Sequence, residues 1–150
     1  MGDSEIEKIL YRYNRIHKEN SDLYREAAKA LGVSDSVFWI LYYLREMDRG
    51  VTQSELCSMM YEPKQTVNSA LKKMESQGYI TMTSHQDRRR KLLILTPKGE
   101  ELAEKTADKV LDLECSAFQE MPDADRQAFL NLFQTYTEIL KRKIASITSP

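Results

Sequence analysis

The 150-residue chain contains few of the residues on which secreted, membrane-spanning and metal-binding proteins depend. Two cysteines, Cys57 and Cys115, are too few for a disulfide framework. The longest apolar run, residues 37–44, is less than half of the roughly twenty residues that cross a bilayer. The N-terminus is acidic and has no apolar segment that would direct secretion. We therefore expect a cytoplasmic protein with two reduced, buried thiols, a redox-sensing thiol being the alternative.

The sequence also lacks the motifs of common catalytic and nucleotide-binding sites. It contains no H-E-x-x-H, G-x-S-x-G, G-x-G-x-x-G or P-loop pattern. The two histidines, His17 and His85, lie far apart and outside any recognisable nucleophile arrangement. We expect His17 to be a half-buried helix residue rather than a ligand. The sequence thus predicts no enzymatic activity, no cofactor and no metal site.

Only five glycines and four prolines interrupt the chain, which favours long helices. Apolar residues recur at three- and four-residue steps from Ile6 to Ala27, which is typical of one face of a helix. Gly32 is expected to end this helix in the left-handed conformation. Ser34 is a suitable N-cap for a second helix, which is apolar nearly all round and runs to about Asp48.

The sequence from Thr52 to Gly78 predicts two short helices in succession. Thr52 and Glu55 have the spacing of a capping box, which starts the third helix. Residues 61–63 form a break, and Pro63 suits the first position of a fourth helix. This fourth helix is expected to end at Gly78 and to bury Val67, Leu71 and Met74.

After Gly78 the periodicity changes from that of a helix to that of strands. Residues 79–83 and 91–95 are predicted strands joined by a polar, basic tip, which together make a β-hairpin. Thr96 and Pro97 open a fifth helix with its stripe at Leu102, Val110, Leu113 and Ala117, and residues 122–123 open a sixth. The predicted fold is mainly α with a small β-hairpin wing.

The formal net charge of −1 conceals a strong segregation of charge. Residues 63–98 contain eight basic and two acidic side chains, so this segment carries +6. The rest of the chain carries −7. A basic centre between acidic helices favours local attraction to phosphate over indiscriminate binding.

The polar face of the fourth helix is the first candidate for DNA contact. Amides pair with adenine edges, hydroxyls contact bases or phosphates, and lysines contact phosphates or guanine. The candidate residues are Lys64, Gln65, Thr66, Asn68, Ser69, Lys72 and Lys73. The alternative is an ordinary solvated helix face, but the short helix, the tight break and the basic hairpin favour a helix-turn-helix that binds DNA.

The hairpin tip is the second candidate. Arginine is favoured in a narrow minor groove, and we expect Arg89 to enter it while Arg88 or Arg90 contacts phosphates. Asp87 is expected to hold one guanidinium in a fixed pose by charge-assisted hydrogen bonds. A solvated loop is the alternative for these charges.

In these features the sequence resembles the MarR family of winged helix-turn-helix regulators. Residues 66–71 resemble its recognition helix, and residues 74–80 resemble the end of that helix and the first wing strand. Asp87 and Arg89 match the wing motif Asp-x-Arg, and residues 95–99 match the Leu-Thr-x-x-Gly that opens the next helix.

The resemblance implies a repressor that binds a pseudo-palindromic operator as a homodimer. It implies a winged helix-turn-helix lobe at residues 34–98 and a helical dimerisation lobe at residues 4–31 and 97–148. It also implies a small aromatic or phenolic effector. Aromatic walls for such a ligand are available at Tyr11, Tyr13, Trp39, Tyr42 and Tyr43, which core packing explains equally well.

A helical adaptor that uses its winged helix to bind another protein is the alternative function. The basic wing argues against this alternative, because a wing of this charge suits DNA.

Overall fold

The structure is a computed structural model that describes residues 4–47, 49–84 and 91–149. In chain order these residues form α1 (Glu5–Ala30), α2 (Asp35–Met47), β1 (Val51–Thr52), α3 (Gln53–Met59), α4 (Lys64–Ser76), β2 (Ile80–Ser84), β3 (Lys91–Leu95), α5 (Pro97–Lys105), α6 (Ala107–Glu120) and α7 (Asp123–Thr148). The chain divides into two compact units, Met1–Leu111 and Asp112–Pro150. The predicted class, mainly α with a small β wing, is confirmed.

The apolar second helix is the centre of the first unit, as predicted. Phe38, Ile40, Leu41 and Leu44 of α2 are buried. The main core continues from α2 into α3, α4, the sheet and α5. A second cluster joins Phe38 to Ala28 of α1 and Val110 of α6.

Local sequence signals set the ends of these helices. The capping box at Thr52 and Glu55 is formed, and Ser34 Oγ accepts the backbone N–H of Val37 at 3.2 Å. Gly32 and Gly78 follow α1 and α4 with φ of +77° and +81°, a region that glycine occupies without steric cost. These predicted boundaries are confirmed.

The sheet contains a strand that the sequence did not predict. Its order is β1-β3-β2 with both pairs antiparallel, and Val51 of β1 lies opposite Leu93. The strand β3 has its predicted bounds, whereas β2 begins one residue later than predicted, with Ile80 opposite Leu95. A two-residue strand is too short to show the alternation by which strands are predicted.

The predicted fifth helix is in fact two helices, α5 and α6. The chain breaks at Thr106, whose backbone has φ −128° and ψ −88°. Thr106 is buried, and its hydroxyl donates to the Leu102 carbonyl at 2.7 Å. The expectation of one continuous helix was wrong because a buried threonine, rather than glycine or proline, marks the break.

The second unit leaves its apolar residues exposed. No side chain of α7 is buried, and the exposed large apolar residues of this helix are Phe129, Leu130, Leu132, Phe133, Tyr136, Ile139, Leu140, Ile144 and Ile147. Phe129 stacks on Phe133, with 6.2 Å between the ring centroids.

Two smaller expectations about burial were wrong. Cys57 is half-buried but Cys115 is exposed, because it lies on the part of α6 beyond Val110. His17 is exposed on α1 rather than half-buried. Among the residues that the structure describes, no helix is long and apolar enough to span a membrane.

Candidate nucleic-acid interface

The helices α3 and α4 form the expected helix-turn-helix, and burial of one face fixes α4. Val67, Leu71 and Met74 on that face are fully buried. Each such side chain stabilises the fold by about 1.5–3 kcal/mol relative to its exposed state. The helix therefore cannot rotate about its axis without exposing this stripe.

The residues predicted to contact DNA lie on the rest of α4. Six of them are exposed, and these are Lys64, Gln65, Thr66, Ser69, Lys72 and Lys73. Asn68 is half-buried. The structure thus brings the predicted polar and basic groups of this helix together on one solvent-facing surface.

The N-terminus of α4 carries no side-chain cap. Pro63 occupies the N-cap position and Lys64 is the first helical residue, so the prediction that placed Pro63 inside the helix was wrong by one residue. The Pro63 carbonyl accepts the N–H of Val67 at 3.1 Å, which places the start of the helical hydrogen bonding at Pro63. The first turn has no acidic residue and no side-chain cap, so its backbone N–H groups are left without a side-chain acceptor from the N-cap.

Asn68 has a second role that sequence reasoning missed. Its side-chain oxygen accepts a hydrogen bond from the Gln53 amide, and the Cys57 thiol lies 3.8 Å from the same oxygen. These contacts tie α3 to α4. A carbonyl oxygen has two lone pairs, and both face donors of α3 here, so the N–H donors of the Asn68 amide are the groups left for a further partner.

The turn between α3 and α4 is also anchored. The Ser36 hydroxyl donates to the Glu62 carboxylate at 2.6 Å, which links the turn to the start of α2. A hydrogen bond across 26 residues of sequence leaves no local pattern by which it can be predicted.

At its other end α4 is held by the start of α5. The Thr96 hydroxyl donates to the Gly78 carbonyl, and Lys98 Nζ donates to the Gln77 carbonyl at 2.7 Å. Lys98 also lies over the Tyr79 ring, 4.6 Å from its centroid. Gly99 packs against the Tyr79 backbone. This gives a physical reason for the glycine of the Leu-Thr-x-x-Gly pattern.

The β2–β3 ladder forms the stem of the wing and extends to the pair Ser84 and Lys91. The predicted tip residues Asp87, Arg88, Arg89 and Arg90 lie outside the described residues. The described part of the wing is therefore its two-stranded stem, which pairs along its whole length from Ile80 and Leu95 to Ser84 and Lys91.

An ion-pair network links α2 to the helices after the wing. Arg45 donates two hydrogen bonds to the Asp108 carboxylate, from Nε to Oδ1 and from Nη2 to Oδ2, each 2.9 Å long. Its Nη1 donates a third to the Glu100 carboxylate. Burial alone lowers the pKa of the Arg45 guanidinium, but hydrogen bonds to Asp108 and Glu100 and the charges of both carboxylates outweigh burial and raise that pKa. Glu100 and Asp108 lie on opposite sides of the break at Thr106.

Three of the five aromatic residues proposed as ligand walls, Trp39, Tyr42 and Tyr43, pack on one another. Trp39 lies 5.0 Å from Tyr24, 5.1 Å from Tyr42 and 5.8 Å from Tyr43, measured between ring centroids. On α1, Tyr13 lies 6.2 Å from the His17 ring, and Tyr11 is exposed.

No group of three or more potential metal ligands occurs among the residues that the structure describes.

Comparisons with known proteins agree with this architecture. Residues 31–91 match the model of the MarR family. An HTH-type transcriptional regulator of Bacillus subtilis, YwoH, is 26% identical over 130 residues, which is 87% of this chain and 94% of that relative. The MarR family regulator NMB1585 of Neisseria meningitidis has a similar structure, with a TM-score of 0.74 and 22% identity over 95% of this chain and 98% of that one.

Another similar structure is the complex of S. aureus MepR with DNA. It gives a TM-score of 0.63 at 21% identity, over 86% of this chain and 96% of that one. The three-stranded sheet beside α3 and α4 defines a winged helix-turn-helix protein. Over residues 31–91 the chain is similar to the MarR family, and the curated relative that it resembles along most of its length is an HTH-type transcriptional regulator.

Proposed function

We propose that the protein is a homodimeric repressor that binds a pseudo-palindromic operator in the cytoplasm. In this proposal α4 enters the major groove, residues 85–90 enter the minor groove, and a small aromatic ligand releases the complex. The observation that carries the proposal is the polar, basic solvent face of α4, which is held in place by its fully buried opposite face.

The major-groove contacts follow from the chemistry of that face. Gln65 and Asn68 carry amides suited to adenine, and Thr66 and Ser69 carry hydroxyls suited to bases or phosphates. Lys64, Lys72 and Lys73 neutralise phosphates or contact guanine. The uncapped first turn of α4 adds backbone N–H groups that suit a phosphate oxygen.

The minor-groove contacts rest on the sequence of the wing tip. Arg89 enters the groove, Arg88 or Arg90 contacts phosphate, and Asp87 orients one guanidinium. The charge of +6 over residues 63–98 supports this arrangement, because α4 and the wing together make most of that charge.

The homodimer is supported by the exposed apolar faces of two long helices. On α1, Ile6, Ile9 and Leu23 are exposed, and α7 buries no side chain at all. A helix with an apolar face gains its stability by covering that face. We assign residues 4–31 and 97–148 to dimerisation and residues 34–98 to DNA binding. Two copies would then place their recognition helices about 34 Å apart, one turn of DNA.

Selection of genomic DNA fragments by the purified protein, followed by gel shifts on the selected sites, tests the proposal. We expect a palindromic site to shift at low salt and a scrambled site of equal length to need far more protein. Lys72→Ala and Arg89→Ala should each weaken binding and reduce the salt slope by about one. Lys109→Ala, an exposed lysine on α6, is the matched control and should bind as the wild type does.

If the wild type shows no sequence-dependent shift at low salt, the repressor proposal fails and the protein-interaction adaptor becomes the better explanation. If small phenolic compounds leave the shift unchanged, only the ligand release fails.

A further inference from the structure

The turn of the helix-turn-helix contains an aromatic side chain that the fold does not use. Tyr61 is 95% exposed, more than any other large apolar side chain among the described residues. A ring of this size normally contributes to a core or an interface, because it buries a large apolar area.

The backbone on both sides of Tyr61 is fixed, so its position is set by the fold. On one side Met60 is buried, and its N–H donates to the Leu56 carbonyl at 3.1 Å. On the other side Glu62 accepts from Ser36, and Pro63 has φ −57° and begins the hydrogen bonding of α4. The contacts of Met60, Glu62 and Pro63 therefore hold the exposed Tyr61 ring just before the N-terminus of α4.

From this placement we propose that Tyr61 is a DNA-positioning residue: its hydroxyl donates a hydrogen bond to a backbone phosphate, and its ring packs on the adjoining deoxyribose. The inference rests on the proposed function of α4. In helix-turn-helix proteins the N-terminal residues of the recognition helix approach the base edges, so a residue just before that helix meets the flanking backbone. Tyrosine is among the side chains that contact phosphates, and such contacts fix register without reading sequence.

Tyr61→Phe removes the hydroxyl and keeps the ring, so it isolates the hydrogen bond. We expect this change to weaken operator binding about tenfold, and Tyr61→Ala to weaken it further. Tyrosine carries no charge, so the salt slope of Tyr61→Phe should equal that of the wild type, unlike the slope of Lys72→Ala.

The phosphate itself is found by replacing operator phosphates one at a time with neutral methylphosphonates. We expect one position in each half-site where the replacement weakens wild-type binding and has no further effect on Tyr61→Phe. Thermal unfolding should be the same for all variants, because an exposed side chain contributes little to stability.

The outcomes separate this inference from the function on which it rests. Wild-type affinity in both Tyr61→Phe and Tyr61→Ala, or a changed salt slope in Tyr61→Phe, overturns the Tyr61 contact, while the wild-type shift keeps the repressor proposal intact. If only Tyr61→Ala loses operator affinity, the proposed hydrogen bond from the Tyr61 hydroxyl to a phosphate is wrong. No shift by the wild type overturns both proposals.

Discussion

The backbone of Gly99 packs directly against the carbonyl of Tyr79, and a Cβ at position 99 would overlap that carbonyl oxygen. The same carbonyl accepts the Thr96 N–H at 3.0 Å, so it cannot move away without losing a hydrogen bond. This contact fixes the start of α5 against the junction between the recognition helix and the wing.

Gly99→Ala should therefore destabilise the protein by about 1–3 kcal/mol, the usual cost of forcing an atom into a packed site. Urea unfolding of the purified variant measures this loss. Gly50→Ala is the control, because its Cβ would lie 3.5 Å from Leu92 in ordinary contact. Equal stability of the two variants would contradict the tight packing at Gly99.

Arg45→Met should destabilise the protein by about 1–2 kcal/mol, between the values typical of exposed and buried ion pairs. The Arg45 side chain is only 22% exposed, and it holds carboxylates on both sides of the break at Thr106. Lys105→Met, which removes an exposed pair with Glu101, should unfold as the wild type does. A smaller loss in Arg45→Met than in Lys105→Met would refute this role.

The pH dependence of the stability difference between the wild type and Arg45→Met follows from the raised pKa of Arg45. A raised pKa gives stability that is complete below the unfolded value and is lost only as pH rises through the folded one. Both values lie far above neutrality, so the guanidinium contribution should be constant between about pH 6 and pH 9. Urea unfolding of the wild type and Arg45→Met at several pH values in this range should therefore give the same difference in the free energy of unfolding.

Asn68→Ala should change which bases are preferred in the operator, and it should also loosen the tie between α3 and α4. Gln53→Ala breaks the same hydrogen bond and keeps the Asn68 amide, so it is the matched control. We expect Gln53→Ala to lower affinity with the base preference unchanged. Selection from a randomised operator library measures both effects, and identical preferences in the two variants would remove Asn68 from the base-reading set.

If the proposed homodimer forms through α7, Phe133→Glu should convert it to monomer and abolish operator binding at concentrations where the wild type binds. Phe133 is 49% exposed in the single chain and belongs to the apolar face of α7. Thr135→Glu adds the same charge two residues away, on another side of the helix, and should leave the dimer intact. Sedimentation analysis gives the mass of each variant, and a dimeric Phe133→Glu would place the interface elsewhere.

The sequence by itself determined most of the helices, the caps at Ser34 and Thr52, and the buried stripe of α4. These features depend on residues within a few positions of one another, such as the capping box at Thr52 and Glu55 or the glycine after α4. It also determined which polar groups share the exposed surface of α4, because burial of one face of a helix exposes the other.

Only the tertiary structure decided what holds these elements together. The bonds from Ser36 to Glu62, from Gln53 to Asn68 and from Arg45 to Asp108 join residues 15 to 63 positions apart. The strand β1 likewise exists only beside β3, and the ion pairs of Arg45 span the break at Thr106. Periodicity and capping report neighbours along the chain, whereas these contacts depend on neighbours in space.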